Sequence, residues 1–522
     1  MKINNFLKKQ RMRRGTPKIN KLSFSSVLII IGMLLNKTVG FIREMSIADA
    51  YGASATADIY LLAYMLPFVI FSILTSAIKS TFIPVFTDVK NKYGEAAALN
   101  LANSFINAMG LIGILIALSG VLLADYYVPI FAYGYEGQSL ETAILLTRIM
   151  FPMVLILTVS SAISAILQVY SKFFIQTIVW TPHNIIIILY NVILSRHYGI
   201  EGLAVATIVA AFTQIAFQLP AAIKVGFKYK VACNFKDKYL KKMIKLMIPI
   251  FIGSGIVQIN ILVDKTLASN LVQGSIASLN FANRVYTLPI AIFVVSIGTA
   301  AYPELSRVAR KSKRELSELT IKLLRVLTVI LLPIATLMLV LRYEIIQILF
   351  ERGEFDSRAT ALTATALFYY SFGMIGIAFR DILGRSFYAL QDTKSPMING
   401  TITVIMNIIL NFVLIQYLDH GGLALATSIA HITTALLLLY TLNKKINLNL
   451  YHFMIFFIKI IFVSVILGVL AFAMKNLLSE FNVLFITSFS SAISLLLYVI
   501  LLKKLKIEEF DYLASQIKEI IK

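Results

Sequence analysis

The feature that most constrains this chain is a succession of long apolar runs, each about the 20 residues a helix needs to cross the hydrocarbon core of a bilayer. Fourteen runs are predicted, near 24–48, 58–87, 98–124, 141–169, 175–195, 201–222, 240–270, 278–303, 319–342, 359–388, 397–418, 422–442, 451–474 and 482–502. Only short polar breaks separate them, so the expected fold class is an all-α integral membrane protein. Composition agrees: 58% of residues are apolar and 14% charged. No single soluble core could hide that much apolar surface.

An even number of spans puts both termini on one side. The first 23 residues carry eight Lys/Arg, and the apolar run after them is too long for a signal peptide and lacks a small-residue cleavage site. An uncleaved first helix with a cytoplasmic tail is expected. Further basic clusters fall on the tail's side, at 224–245, at 307–325 and at Lys503, Lys504 and Lys506. The opposite loops hold few cations, as the positive-inside rule requires. The net charge of +22 is therefore explained by topology and anionic lipid headgroups, without nucleic acid. The one cysteine, Cys233, excludes an internal disulfide, and five scattered histidines without an HExxH pair argue against a metalloenzyme.

An internal repeat is visible. Arg43-Glu44 leads to Leu66-Pro67 as Asp264-Lys265 leads to Leu288-Pro289, and Asn191 with Gly202-Leu203-Ala204 matches Asn411 with Gly422-Leu423-Ala424. The offset stays near 220 residues across six spans, so the copies have the same orientation, and two such bundles enclose a central cleft. The expected division is a basic tail (1–23), a first six-helix lobe (24–222), a basic linker (223–239), a second lobe (240–445), a terminal helix pair (446–502) and a second cytoplasmic tail (503–522).

Several charges lie inside these spans, where a cation costs about 2.5–3.5 kcal/mol at a helix centre. Arg148, Arg385, Lys459 and Lys79 read as snorkelling side chains. Lys37, Arg43 and Arg284 sit deeper and read as lining a water-filled cavity, with Asn36, Lys37, Gly40, Arg43 and Glu44 forming one broad polar face of the first helix. Asp58 fits either an N-cap or the cavity. Asp264 and Lys265 are expected to face the cavity, because neighbours on one helix point about 100° apart and stack poorly. A cleft ringed by cations suits an anion, most simply phosphate or diphosphate. Asn36-Lys37-Thr38 lacks the glycine of a P-loop, and paired surface carboxylates for lipid-phosphate chemistry are missing, so a transporter is expected rather than an enzyme.

The sequence resembles the MurJ (MviN) family of lipid II flippases, in the MOP exporter superfamily. The resemblance rests on Gly40-Phe41-Ile42-Arg43-Glu44, Ala57-Asp58, Leu66-Pro67, Asn283-Arg284, Phe350-Glu351-Arg352-Gly353-Glu354-Phe355 and the run Phe387 to Pro396. It implies fourteen helices, in two six-helix lobes with a groove formed by the last pair. It further implies a monomer in the bacterial cytoplasmic membrane that moves lipid II between leaflets. By position it carries cargo-binding roles to Arg43, Glu44, Lys37 and Arg284. A second-helix arginine of the family falls on Phe71-Ser72, with Lys79 the nearest cation, and Asp58 is the remaining candidate. No cofactor is expected except sodium, which some members bind at positions matching Asp264, Asn407, Asn411 and Thr427. Asn411 stands where the family can have an acid. The alternative is a superfamily exporter of another polyprenyl-linked saccharide or of a drug.

Overall fold

In hydrocarbon a backbone finds no water, so each crossing must satisfy its own N–H and C=O groups. The computed structural model describes residues 24–231 and 234–510, and among these the regular structure is helical throughout. The basic tail 1–23, Cys233 and residues 511–522 lie outside the described residues. Ten described helical segments are long and apolar enough to cross a membrane, or eleven when Ser357–Phe372 and Met374–Ala389, bent by 42°, count as one.

Breaks within the expected runs follow local chemistry. The run at 141–169 divides at Phe151-Pro152 into Gly137–Met150 and Met153–Val169. The helix Ser275–Pro289 ends on its proline and continues through a π-helical turn, Ile290–Val294, into Val295–Ala309. A proline removes one N–H from the ladder, and a wider turn accommodates the loss. The run expected to 124 stops at Leu122, and a separate short helix, Ala124–Phe131, follows it.

Two segments, Phe173–Lys224 and Lys394–Ile446, hold 52 and 53 residues. A straight helix of that length would reach about 80 Å, far beyond a bilayer of roughly 30 Å. Each instead reverses at one residue: Gly199 (φ 54°, ψ −149°) and Asp419 (φ 47°, ψ −133°). The second reversal brings Thr403 Oγ1 within 2.6 Å of Thr434 Oγ1. Gly199 and Asp419 are themselves one repeat apart, so the two halves turn at equivalent positions.

The largest buried cluster spans both halves, joining Ile47, Leu62 and Leu66 to Phe281, Leu324, Phe350 and Phe387. The linker after Lys224 is strapped to the helix Glu95–Leu122. There Asn103 donates to Lys228 O (3.0 Å) and accepts from Lys230 N (2.8 Å). The helices Leu450–Leu477 and Val483–Lys504 pack on Lys313–Val340, where the Tyr498 hydroxyl donates to Val329 O at 2.9 Å.

Candidate functional site

A cavity of about 450 Å³ lies where the first helix, Phe24–Tyr51, faces the second helix and the helix Ser275–Pro289. Glu44 is its hub, buried to 1% exposure. The carboxylate pairs with the neighbouring Arg43, accepts from Arg284 Nε at 3.1 Å and accepts from Asn280 Nδ2 at 2.9 Å. Arg43 also donates to Asn184 Oδ1 at 3.2 Å. Residues 240 positions apart thus meet on one carboxylate, across the two halves of the chain. Lys37 and Lys265 line the same cavity, so its cations outnumber its one acid. Gly40 keeps the first helix bare in front of Asn184.

The structure brings Lys37, Arg43, Glu44, Lys265 and Arg284 together around one cavity and leaves three expected residues out: Asp264, which turns to Asn411 within its own half, Asp58 and Lys79. Asp58 neither caps its own helix nor lines the cavity. Ser54 is the N-cap of Ala55–Tyr93, and the buried Asp58 carboxylate accepts from Gly274 N and Ala277 N at 2.7 Å each. It therefore caps the helix Ser275–Pro289 of the other half, whose free N–H groups need an acceptor. Lys79 is exposed about four turns along the second helix from Tyr64, outside the cavity lining.

One wall was not singled out from the sequence. Tyr60, Tyr64 and Phe68 stack along the second helix with centroids 6.1 and 5.4 Å apart, Trp180 meets Phe68 edge-on at 6.3 Å, and Phe71 backs them from behind the cavity lining. Their i, i+4, i+8, i+11 spacing was the available signal. Such a wall offers flat apolar faces beside the cationic cluster.

The end of the cavity nearest residues 49–58 is closed by backbone contact between halves. Glu354 N donates to Asp49 O at 2.9 Å, and a Cβ on Gly353 or Gly274 would strike the carbonyl of Asp49 or Ala53. Gly134 abuts the Ser269 carbonyl in the same way.

The sequence profile described as "Lipid II flippase MurJ" matches residues 47–510. The chain belongs to the MurJ family. A probable lipid II flippase MurJ from Buchnera aphidicola subsp. Schizaphis graminum is 31% identical over 457 residues, 85% of this chain and 88% of that one. The lipid II flippase MurJ of Burkholderia cenocepacia is 28% identical, over 81% of this chain and 84% of its own. A solved MurJ in an inward closed conformation superposes with a TM-score of 0.79 at 26% identity, covering 91% of this chain and 98% of that one. A multidrug resistance MATE transporter in an inward-facing conformation shares the fold, with a TM-score of 0.64 at 13% identity over 80% of this chain and 98% of its own.

Membership of the MurJ family raises the question of sodium. Asp264, Asn407 and Asn411 do meet, but the Asn411 amide nitrogen donates to both Asp264 Oδ1 (2.5 Å) and Asn407 Oδ1 (3.2 Å). The Thr427 hydroxyl donates to Leu423 O at 3.0 Å. A hard cation needs converging oxygens, whereas here an N–H donor stands between them. With the Asn411 amide so oriented, the three side chains do not present converging oxygens.

Proposed function

We propose that this MurJ-family chain is a transporter that carries lipid II, a polyprenyl-diphosphate-linked peptidoglycan precursor, from the inner to the outer leaflet of the bacterial cytoplasmic membrane by alternating access. The observation that carries this reading is the cationic cavity shared between the two halves, in a chain whose relatives are named lipid II flippases. A cationic-drug exporter needs acids in its cleft, and this cleft is basic.

The finer reading has fourteen crossings. The two double-length helices count twice because they fold back, and Phe24–Tyr51 adds one more despite its charges. Two six-helix lobes related by the repeat, plus the last helix pair, then make up a monomer with cytoplasmic termini. The closed end near residues 49–58 faces outward. Arg284, half-exposed with 47% of its side chain accessible, is free to exchange Glu44 for the cargo diphosphate. Arg43 remains held by Glu44 and Asn184 and presents its charge from the opposite lobe. Lys37 completes the ring. The cytoplasm is electrically negative, so the membrane potential favours export of an anion by about 2.3 kcal/mol per charge per 100 mV. The same field draws the unloaded cations back, and the transport runs without coupled sodium.

The test is to deplete the protein in its host and complement with variants. Arg43→Ala and Arg284→Ala should leave lipid II in the inner leaflet although the protein inserts at normal levels. Export in both single variants would refute the diphosphate assignment. Collapsing the potential with valinomycin and potassium, at a fixed sodium gradient, should stop export. Continued export that fails only when sodium is withdrawn would refute the potential-driven cycle.

A further inference from the structure

A second cavity, of about 610 Å³, lies within the later half of the chain, apart from the one around Glu44. It is bounded by Tyr302 near the end of the helix Val295–Ala309, by residues 380–388 of Met374–Ala389, and by both arms of Lys394–Ile446. It sits toward the end of the bundle where Arg307, Lys311 and Lys394 emerge. Two glycines keep it open. A Cβ on Gly384 or Gly400 would meet only empty space, so the lost side chains are volume given to the cavity.

The charges in this cavity do not balance. Arg385 is satisfied by Asp381, with Nε to Oδ2 at 2.7 Å, and Gly298 packs directly against that pair. Arg380 lies about one turn of helix away on the cavity wall and, among the described residues, makes no hydrogen bond or ion pair; the nearest acid, Asp381, is the one already paired with Arg385. It is about nine residues inside its helix, roughly 13 Å from the end, which is deep for a snorkelling arginine. The Tyr302 and Tyr388 side chains are also partly exposed there, 37% and 47% respectively. A guanidinium fork and two phenols form a set of hydrogen-bond donors whose only acid is already paired. Such a set fits a ligand rich in acceptors and bearing negative charge.

We propose that this cavity is an oxyanion site in which Arg380 receives a phosphate or carboxylate group. The site is separate from the cargo diphosphate cluster and does not depend on it. Three sources share that chemistry: a soluble phosphate, the free carboxylate of a peptide, and the headgroup of an anionic phospholipid.

The test uses the full chain in phosphatidylcholine nanodiscs, read by hydrogen–deuterium exchange over residues 376–402. Inorganic phosphate and an N-acetylated dipeptide with a free carboxylate are titrated in turn at constant ionic strength. A third arm replaces part of the lipid with phosphatidylglycerol. Slower exchange in this segment with either soluble ligand, or with the anionic lipid alone, identifies the source. Arg380→Gln should weaken the effective ligand roughly tenfold or more, as loss of a charge-assisted hydrogen bond predicts, and Arg380→Lys should weaken it less. Gly400→Leu, which fills the cavity without touching a charge, should abolish the effect even if Arg380→Gln folds poorly. Arg43→Ala should keep it, so a failure of the cargo reading stays distinguishable. The proposal is overturned if no arm slows exchange here, if Arg380→Gln and Gly400→Leu respond as the wild type does, or if protection is confined to residues 36–47 and 280–291.

Discussion

The two halves of the chain each place a carboxylate on an early helix and neutralise it differently. In the first, Glu44 takes two guanidiniums and one amide, and one of the guanidiniums comes from the other half. In the second, Asp264 takes the neutral amide of Asn411 from its own half, while the neighbouring Lys265 turns to Ile276 O at 3.3 Å. The first cluster faces a cavity, and one of its partners, Arg284, has 47% of its side chain accessible. The second is closed by a donor of the protein's own. The same kind of position thus opens to a cavity in one half and is closed by a partner from its own half in the other.

The largest expected effect breaks the first cluster. Glu44→Gln leaves Arg43 and Arg284 without their shared partner, and removing one member of a buried ion pair costs about 3–5 kcal/mol. Asp264→Asn removes a contact to a neutral amide and should cost about 1–3 kcal/mol. Heat-induced loss of monodisperse protein in detergent ranks the two. Equal losses would show that the clusters are not built differently.

Asn411→Asp sharpens the same contrast. It replaces the donor between Asp264 and Asn407 with a second carboxylate, and two adjacent acids cannot both stay ionised without a cation. Sodium should leave the melting temperature of the wild type unchanged at constant ionic strength and raise that of the variant. A sodium-dependent rise in the wild type would mean that the amide does not close the site.

A smaller effect is expected where the halves touch. Gly353 and Gly134 each press on a carbonyl of the other half, Asp49 and Ser269, and these carbonyls are one repeat apart. Only Gly353 has positive φ (54°), so an added Cβ there meets both the clash and a left-handed backbone. Gly353→Ala should therefore cost about 1–2 kcal/mol more than Gly134→Ala. Both should loosen the closed end, read as faster modification of a cysteine placed at position 49.

Much of this was legible in the sequence, for physical reasons that differ by residue. Apolar runs must be helices in lipid, so the all-helical membrane class could be read directly. Lys37, Arg43 and Arg284 stood out because charge inside a span is costly. The repeat was visible in Gly202-Leu203-Ala204 and Gly422-Leu423-Ala424, and those residues do follow the equivalent reversals at Gly199 and Asp419. Asp58 was not legible, because the N–H groups it caps lie more than 200 residues away. The aromatic wall was hidden among apolar residues of similar hydropathy. The donor role of Asn411 depends on which way an amide faces, and composition does not record that.

The smallest expected effect concerns a surface turn present in both halves. Ser171 and Gln391 both have positive φ (57° and 60°), and Lys172 N and Asp392 N both close back onto the preceding helix, to Leu167 O and Phe387 O at 2.9 and 3.0 Å. The backbone is the same, but one half carries Lys172 where the other carries Asp392. Partial burial pushes the Asp392 carboxyl upward. Lys445 Nζ at 2.5 Å and Ser395, through Oγ at 2.6 Å and N at 3.0 Å, more than reverse that push, and the group is held at about 2, below its ordinary 3.8. A carboxyl lowered on folding adds stability that is fully present above its unfolded value, so the latch acts above pH ~4 and is lost as pH falls toward about 2. With 43% of the Lys445 side chain accessible, solvent screening limits the contribution to at most about 1 kcal/mol. Asp392→Asn should lower the melting temperature slightly at pH 7, and the gap to wild type should narrow steadily as pH falls from about 4 toward 2. Lys172→Asn, on the same turn without a carboxylate, should show no such convergence. A gap for Asp392→Asn that stays constant with pH would assign the effect to packing of the turn instead of to the ion pair.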